Sequence, residues 1–296
     1  MNQFIELLIS GLSLGFVYAL VALGFVMIFA ATRVVNFAYG SILLFGAYVV
    51  ARTHDNLGFG LAVIAGMAAA ALLAALIQLI ILRRLRGASL DTLAIVTIGV
   101  DILLATELTR RIGDKVFNIG DPWRDHVVHF GDFSVPQARV AAAVVAILVL
   151  VAFLAVHRWS DWGIAMRSAA DDGEAAALMG IRLGRVATAA WAVAGALAAL
   201  GGVFFTTFPT PGVDAGVGLG ALSAFPAAIL GGLDSILGAV VGGLIIGVVV
   251  TMTAGYQDEL AFLGRGLSQV APYIVMVLVL LWRPSGLFGT REITRV

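Results

Sequence analysis

Few residues in this chain have the types and spacing to do chemistry. Asp101 and Glu107 sit in an otherwise apolar run, Thr92–Leu108. A charged group near the centre of a membrane helix costs about 2.5–3.5 kcal/mol. Glu107 is close to the end of the run and can reach water. Asp101 is nearer the middle, and Thr97 lies one turn before it on the same face. Asp101 should therefore face the protein interior, a cavity or a partner chain. It would contact a substrate ammonium there, or else pair with another group or with water. Asn36 interrupts the apolar stretch Val34–Tyr39 and is followed by Gly40. A buried amide needs partners. It would cap a helix end, bond between helices, or line a path where a helix is interrupted. Pro226 lies in a Gly-rich stretch near Pro209 and Pro211. That stretch predicts a short, broken or re-entrant helix, the kind of segment at which a pathway or gate is built.

A second candidate is the run from Arg167 to Ile181, which mixes small apolar residues with acids. Glu174–Met179 predicts a short helix with Gly180 placed to end it. Asp171 and Asp172 stand near its start, where the helix dipole favours negative charge. Such a helix is too short and too polar to span a membrane. It is either a surface connector or a docking helix whose Ala175, Ala176 and Met179 seat in a partner's groove. Arg167, Arg182 and Arg185 flank it, as membrane anchors or as contacts to an acidic partner.

Other chemistries are excluded. There is no cysteine, so thiolate metal sites, disulfides and Cys nucleophiles are out. Lys115 is the only lysine and stands in no Walker-type phosphate loop. The chain therefore cannot hydrolyse ATP by that route. His126 and His129 form an i, i+3 pair in a polar stretch, which reads as solvated loop rather than as a metal site. Gly216-Val217-Gly218-Leu219-Gly220 has neither a preceding strand nor an acidic partner and is discounted as a nucleotide loop. Voltage-sensor arginine repeats and a potassium-type filter are both missing. No cofactor is expected.

The elements that must position these residues are membrane helices. Of 296 residues, 61% are hydrophobic and 12% charged. Soluble domains run near 45–50% and 25%, so this chain cannot coat a water-soluble surface. A balanced net charge of +0 gives no field to attract nucleic acid. A span needs about 20 apolar residues. Eight charge-free runs, from Leu7–Thr32 to Gly266–Trp282, and the Thr92–Leu108 segment make eight or nine. The chain reads as one all-α polytopic membrane domain over residues 1–296. An external loop is expected over about 110–138 and a cytosolic one over about 158–184. Leu7–Thr32 is longer than a signal-peptide core and follows no basic residue, so the mature chain should keep it. With the N-terminus outside and nine crossings, eleven basic residues fall inside, including Arg33, Arg83, Arg84 and Arg283. Seven, including Arg52, Arg110 and Lys115, fall outside. That is the positive-inside sign, and it places the C-terminus in the cytoplasm. Gly11/Gly15, Gly238/Gly242 and Gly243/Gly247 have GxxxG spacing for close helix contact, within the chain or with another subunit. Asp234 is placed to cap the helix beginning near Ser235.

Four blocks, in order, resemble one family. They are Gly15-x-x-Tyr18-Ala19-Leu20-x-Ala22-Leu23-Gly24 with Asn36-Phe37-Ala38-Tyr39-Gly40; Glu174-Ala175-Ala176 with Gly180-Ile181; Phe225 to Gly243; and Leu278 to Gly289. Together they are similar to the LivH-like, branched-chain amino-acid type of ABC-importer permease. The second block resembles that family's ATPase-coupling loop. Two positions depart from the pattern: Tyr39, where the family often has His, and Asp101, where a neutral residue is expected. The resemblance implies a bacterial inner-membrane subunit working by alternating access. It also implies a second, LivM-like permease, two cytosolic ATP-binding subunits and a periplasmic substrate-binding protein as partners. On this reading Glu174, Ala175, Ala176 and Gly180 serve the coupling loop. Asn36, Gly40, Thr97, Asp101 and Pro226 mark the pathway or a helix break. The competing reading is a stand-alone secondary transporter or channel, supported by Asp101 and the Pro226 segment.

Overall fold

A computed structural model describes residues 2–85, 87–123, 126–130, 133–208, 211–260, 264 and 266–289. Pro209 and the side chain of His129 lie outside the described residues. Eleven α-helices and one hairpin are present among those described. In order they are α1 (Asn2–Thr32), α2 (Tyr39–Leu57), α3 (Phe59–Leu76), α4 (Leu90–Ile112), β1 (Val127–Phe130), β2 (Phe133–Pro136), α5 (Gln137–Trp159), α6 (Asp161–Asp171), α7 (Gly173–Leu178), α8 (Leu183–Phe205), α9 (Val217–Gly231), α10 (Ile236–Gly255) and α11 (Leu267–Trp282). The protein is all-α and polytopic. Helix α3 runs on through a π-helical turn, Ile77–Ile81, and a 3₁₀ turn, Leu82–Leu85.

Six helices are long and apolar enough to cross a membrane: α1, α3 with its continuation, α4, α5, α8 and α10. Three others complete the nine apolar segments. Helix α2 carries Arg52, His54 and Asp55 in its second half, while α9 and α11 are short. Contacts between connecting segments sort the helix ends into two sets. At one, the Arg33 guanidinium donates to the Ala170 carbonyl, and the Leu287 and Phe288 amides donate to Leu230 and Gly231. At the other, the Gln3 side chain reaches Gly255 and the Phe117 and Val213 backbones bond reciprocally. Nine segments alternating between two ends satisfy all of these contacts.

Helices α1 and α8 are buried over most of their length. A helix that is apolar all round belongs in a core, and both are. Helix α4 is the most exposed of the long six. The GxxxG spacings are used within the chain. Gly11 and Gly15 of α1 meet the α10 backbone, and a Cβ on either would stand 2.8 Å from the Cα of Val248 or Leu244. Gly238 and Gly242, on another face of α10, lie against Gly231 and Ala227 of α9.

Three expectations need refinement. The 110–138 loop is not wholly irregular, because β1 and β2 pair antiparallel with Val128 opposite Val135. Of the short, broken or re-entrant alternatives, helix α9 takes the short one and is continuous through Pro226. At 15 residues it spans only about 22 Å. The cap of α10 is Ser235, whose hydroxyl accepts from the Gly238 amide at 3.0 Å, and not Asp234. Asp234 stands one residue outside the helix, with its carboxylate near Gly289.

Candidate functional site

The link between α1 and α2 gathers most of the residues singled out for the pathway. Helix α1 ends at Arg33, whose φ of +56° is the left-handed conformation that closes a helix. Its amide still donates to the Phe29 carbonyl at 2.7 Å. The chain then runs extended to Asn36. The Asn36 Oδ1 accepts from the Ala38 amide at 3.0 Å, a turn that Asn side chains favour. Asn36 is 1% exposed, and its Nδ2 has no partner among the described residues. The expected capping role is thus half filled: the oxygen shapes the turn and the amide nitrogen is left over.

Helix α4 clamps this link. The Thr97 hydroxyl accepts from the Phe37 amide at 3.1 Å and lies 3.3 Å from the Val35 carbonyl. One turn further on, the Asp101 Oδ1 accepts from the Ser41 hydroxyl at 2.6 Å. Asp101 therefore faces the interior, as its cost in lipid requires, and its partner is within the chain. Glu107 pairs with Arg110 and Arg111 near the end of α4.

Helix α9 approaches from the other side. Gly40 leaves room for the Gly218 carbonyl, which would stand 2.7 Å from a Cβ there. Phe225 packs with Phe25 and Phe37, at ring-centroid distances of 5.4 and 6.1 Å. Its neighbour Pro226 is buried within the helix. A proline has no N–H, so the carbonyl four residues back loses its donor. That carbonyl is Leu222, and the Tyr273 hydroxyl of α11 donates to it at 3.1 Å. Tyr39 is fully buried, with its hydroxyl donating to the Ala194 carbonyl of α8 at 3.0 Å. Asn36, Gly40, Thr97, Asp101 and the α9 segment of Pro226 thus meet around one interrupted helix pair.

The residues expected in the coupling loop form a second cluster. Asp172 caps α7, its carboxylate accepting from the Glu174 and Ala175 amides at 3.0 and 2.9 Å. At the other end Gly180 has φ +88°. The Ile181 amide reaches back to Ala176 and the Gly180 amide to Ala177, both at 3.0 Å. This is the double-bonded glycine stop of a helix. The outward face differs from the expected one. Ala176 is 5% exposed and packs inward, whereas Leu178 and Met179 are 89% and 84% exposed. Ala175, Leu178 and Met179 present the apolar face, at i, i+3, i+4 spacing. Arg167 is exposed but engaged. Its guanidinium donates to the His157 and Arg158 carbonyls at the end of α5.

Arg33 joins the two clusters through the end of α6, at 2.6 Å from Ala170. The sequence marked it only as one more basic residue. Ser41 and Tyr273 were not singled out at all. A Pro in a short apolar helix does demand a donor from elsewhere, and that was the available signal for Tyr273. Among the described residues no group of His, Asp and Glu is arranged to hold a metal ion.

A two-ended bundle of apolar helices, with one short capped helix at one end, defines an all-α polytopic membrane protein. The chain matches the family model described as the branched-chain amino acid transport system permease component over residues 7–280. It belongs to that family. It is 30% identical to the high-affinity branched-chain amino acid transport system permease protein LivH of Escherichia coli K12, over 99% of this chain and 98% of the relative. It is 29% identical to BraD of Pseudomonas aeruginosa, described in the same words, over the same shares. A probable LivH of Methanocaldococcus jannaschii is 31% identical over 91% of this chain and 88% of its own length. No solved structure matches.

Proposed function

We propose that this chain is the membrane permease subunit of an ATP-driven importer for branched-chain or closely related amino acids. It works by alternating access in a bacterial inner membrane, with its C-terminus and the α6–α7 loop in the cytoplasm. Its partners are a LivM-like permease, two ATP-binding subunits and a periplasmic substrate-binding protein. The observation that carries the reading is α7. It is too short to span, is capped at both ends, and turns Leu178 and Met179 away from the protein. Arg33 connects the preceding helix to the link between α1 and α2. A push on α6–α7 by a nucleotide-driven partner would be delivered to that link. The lack of a phosphate loop in the chain fits an energy source in such a partner.

Reconstitution tests this reading. The chain is placed in proteoliposomes with the proposed partner subunits, and uptake of labelled leucine is followed. Uptake that requires ATP, both ATPases and the binding protein is the expected result. Uptake by this chain alone, driven by an ion gradient, would overturn it.

A further inference from the structure

A groove of about 1140 Å³ opens at the Arg33 end of the bundle. It lies between the end of α1, the π-helical and 3₁₀ continuation of α3, and the α7–α8 corner. Its wall holds Arg83, Arg182 and Arg185 and no carboxylate among the described residues. The three guanidinium groups make no ion pair or side-chain hydrogen bond among the described residues. Much of the remaining wall is apolar, including Leu79, Leu82, Leu93 and Ile181. Gln78 also lines the groove. It is 7% exposed, and its Oε1 is buried without a hydrogen-bond partner. Leaving such an acceptor empty is costly. Gln78 lies in the π-helical turn, a distortion frequent at functional sites.

We infer that this groove seats the headgroup of an anionic phospholipid that also carries a hydroxyl donor, as phosphatidylglycerol does. The phosphate sits against Arg83, Arg182 and Arg185. A headgroup hydroxyl donates to Gln78, and the first acyl carbons lie along Leu79 and Leu82. Charge complementarity selects the anion, and basic pockets between helices at a membrane boundary are built for this chemistry. Position selects the lipid as its source. Leu79 belongs to both the groove and the outer face of α3, where Leu72, Leu76 and Ile80 are exposed. The groove is therefore continuous with the surface that meets hydrocarbon. The inference rests on the membrane placement of the chain and is independent of the importer reading.

The test is native mass spectrometry of the full chain in mild detergent, titrated with phosphatidylglycerol, phosphatidylethanolamine, phosphatidylmethanol or inorganic phosphate. One phosphatidylglycerol should be retained in preference to phosphatidylethanolamine, and millimolar phosphate should not displace it. Each of Arg182→Gln and Arg185→Gln should weaken retention about fivefold, as for one charge at an anionic membrane surface. The Lys variants should retain binding, and Thr188→Trp, which fills the groove, should abolish it. Gln78→Leu should weaken phosphatidylglycerol but not phosphatidylmethanol, which has the charge and no hydroxyl. Melting temperature in detergent separates lost binding from lost folding. If the Gln variants unfold, the Lys and Thr188→Trp variants decide the matter. Equal retention by wild type and Thr188→Trp would overturn the proposal. So would displacement by inorganic phosphate.

Discussion

Arg33 holds a left-handed backbone that costs a non-glycine residue about 1–2 kcal/mol. It keeps that conformation while its guanidinium closes on the end of α6 and lies 5.8 Å from the Phe29 ring centroid. Backbone and side chain make separable contributions. Arg33→Gly removes the strain together with the hydrogen bond, and Arg33→Ala removes the bond alone. If the bond transmits motion, both variants should hydrolyse ATP in the assembled complex with several-fold less uptake per ATP. Only Arg33→Ala should also lower the melting temperature. Unchanged uptake per ATP in both would remove Arg33 from the coupling route. Asp101 makes a different point. A carboxylate in a membrane helix invites a catalytic or ion-coupling reading, yet its Oδ1 is engaged by Ser41 inside the chain. That bond gives the residue a structural role that the sequence, with Ser41 sixty positions away, did not display.

Among the elements, α7 is set by its two ends. With six residues it has little intrinsic stability, so the Asp172 cap and the Gly180 stop hold it. A Cβ at Gly180 would meet nothing within 4 Å, and the cost of replacing it therefore lies in the φ of +88° rather than in a clash. Gly180→Trp and Glu174→Arg should insert and pair with the second permease normally. Both should weaken ATPase docking, measured by co-purification, at least several-fold. Normal uptake with both changes would rule out α7 as the coupling helix. Helix α9 depends on a neighbour in a comparable way. Tyr273→Phe leaves Leu222 without its donor and should cost about 1 kcal/mol. In a Pro226→Ala background the restored amide can take over that carbonyl, so the same change should cost much less. Thermal unfolding of the four proteins measures this, and strictly additive losses would disprove the substitution of one donor for the other.

For the whole molecule, the contacts between connecting segments are satisfied when successive apolar segments alternate between two ends. The chain has no cysteine, so single-cysteine labelling reads this directly. Cysteines at Leu178 and Ser285 should react from one side of the membrane, and those at Lys115 and Asp258 from the other. Lys115 and Leu178 reacting from the same side would break the nine-segment path. Much of this was legible in the sequence. Charge-free runs mark helices because an unpaired backbone group in lipid is too costly for anything else. The acidic cap and glycine stop of α7 mark its ends because both act over four residues. The hairpin, the π-helical turn and the continuous course of α9 were less legible. Each depends on what packs beside it. The sequence by itself determined the helices and their order, which follow from local composition and spacing, and its four motif blocks carried the family. Only the tertiary structure decided which groups meet: Ser41 with Asp101, Tyr273 with Leu222, Arg33 with Ala170, and the α1 glycines with those of α10. Such pairs join positions far apart in the chain. Close packing in three dimensions selects them, and no local pattern encodes it.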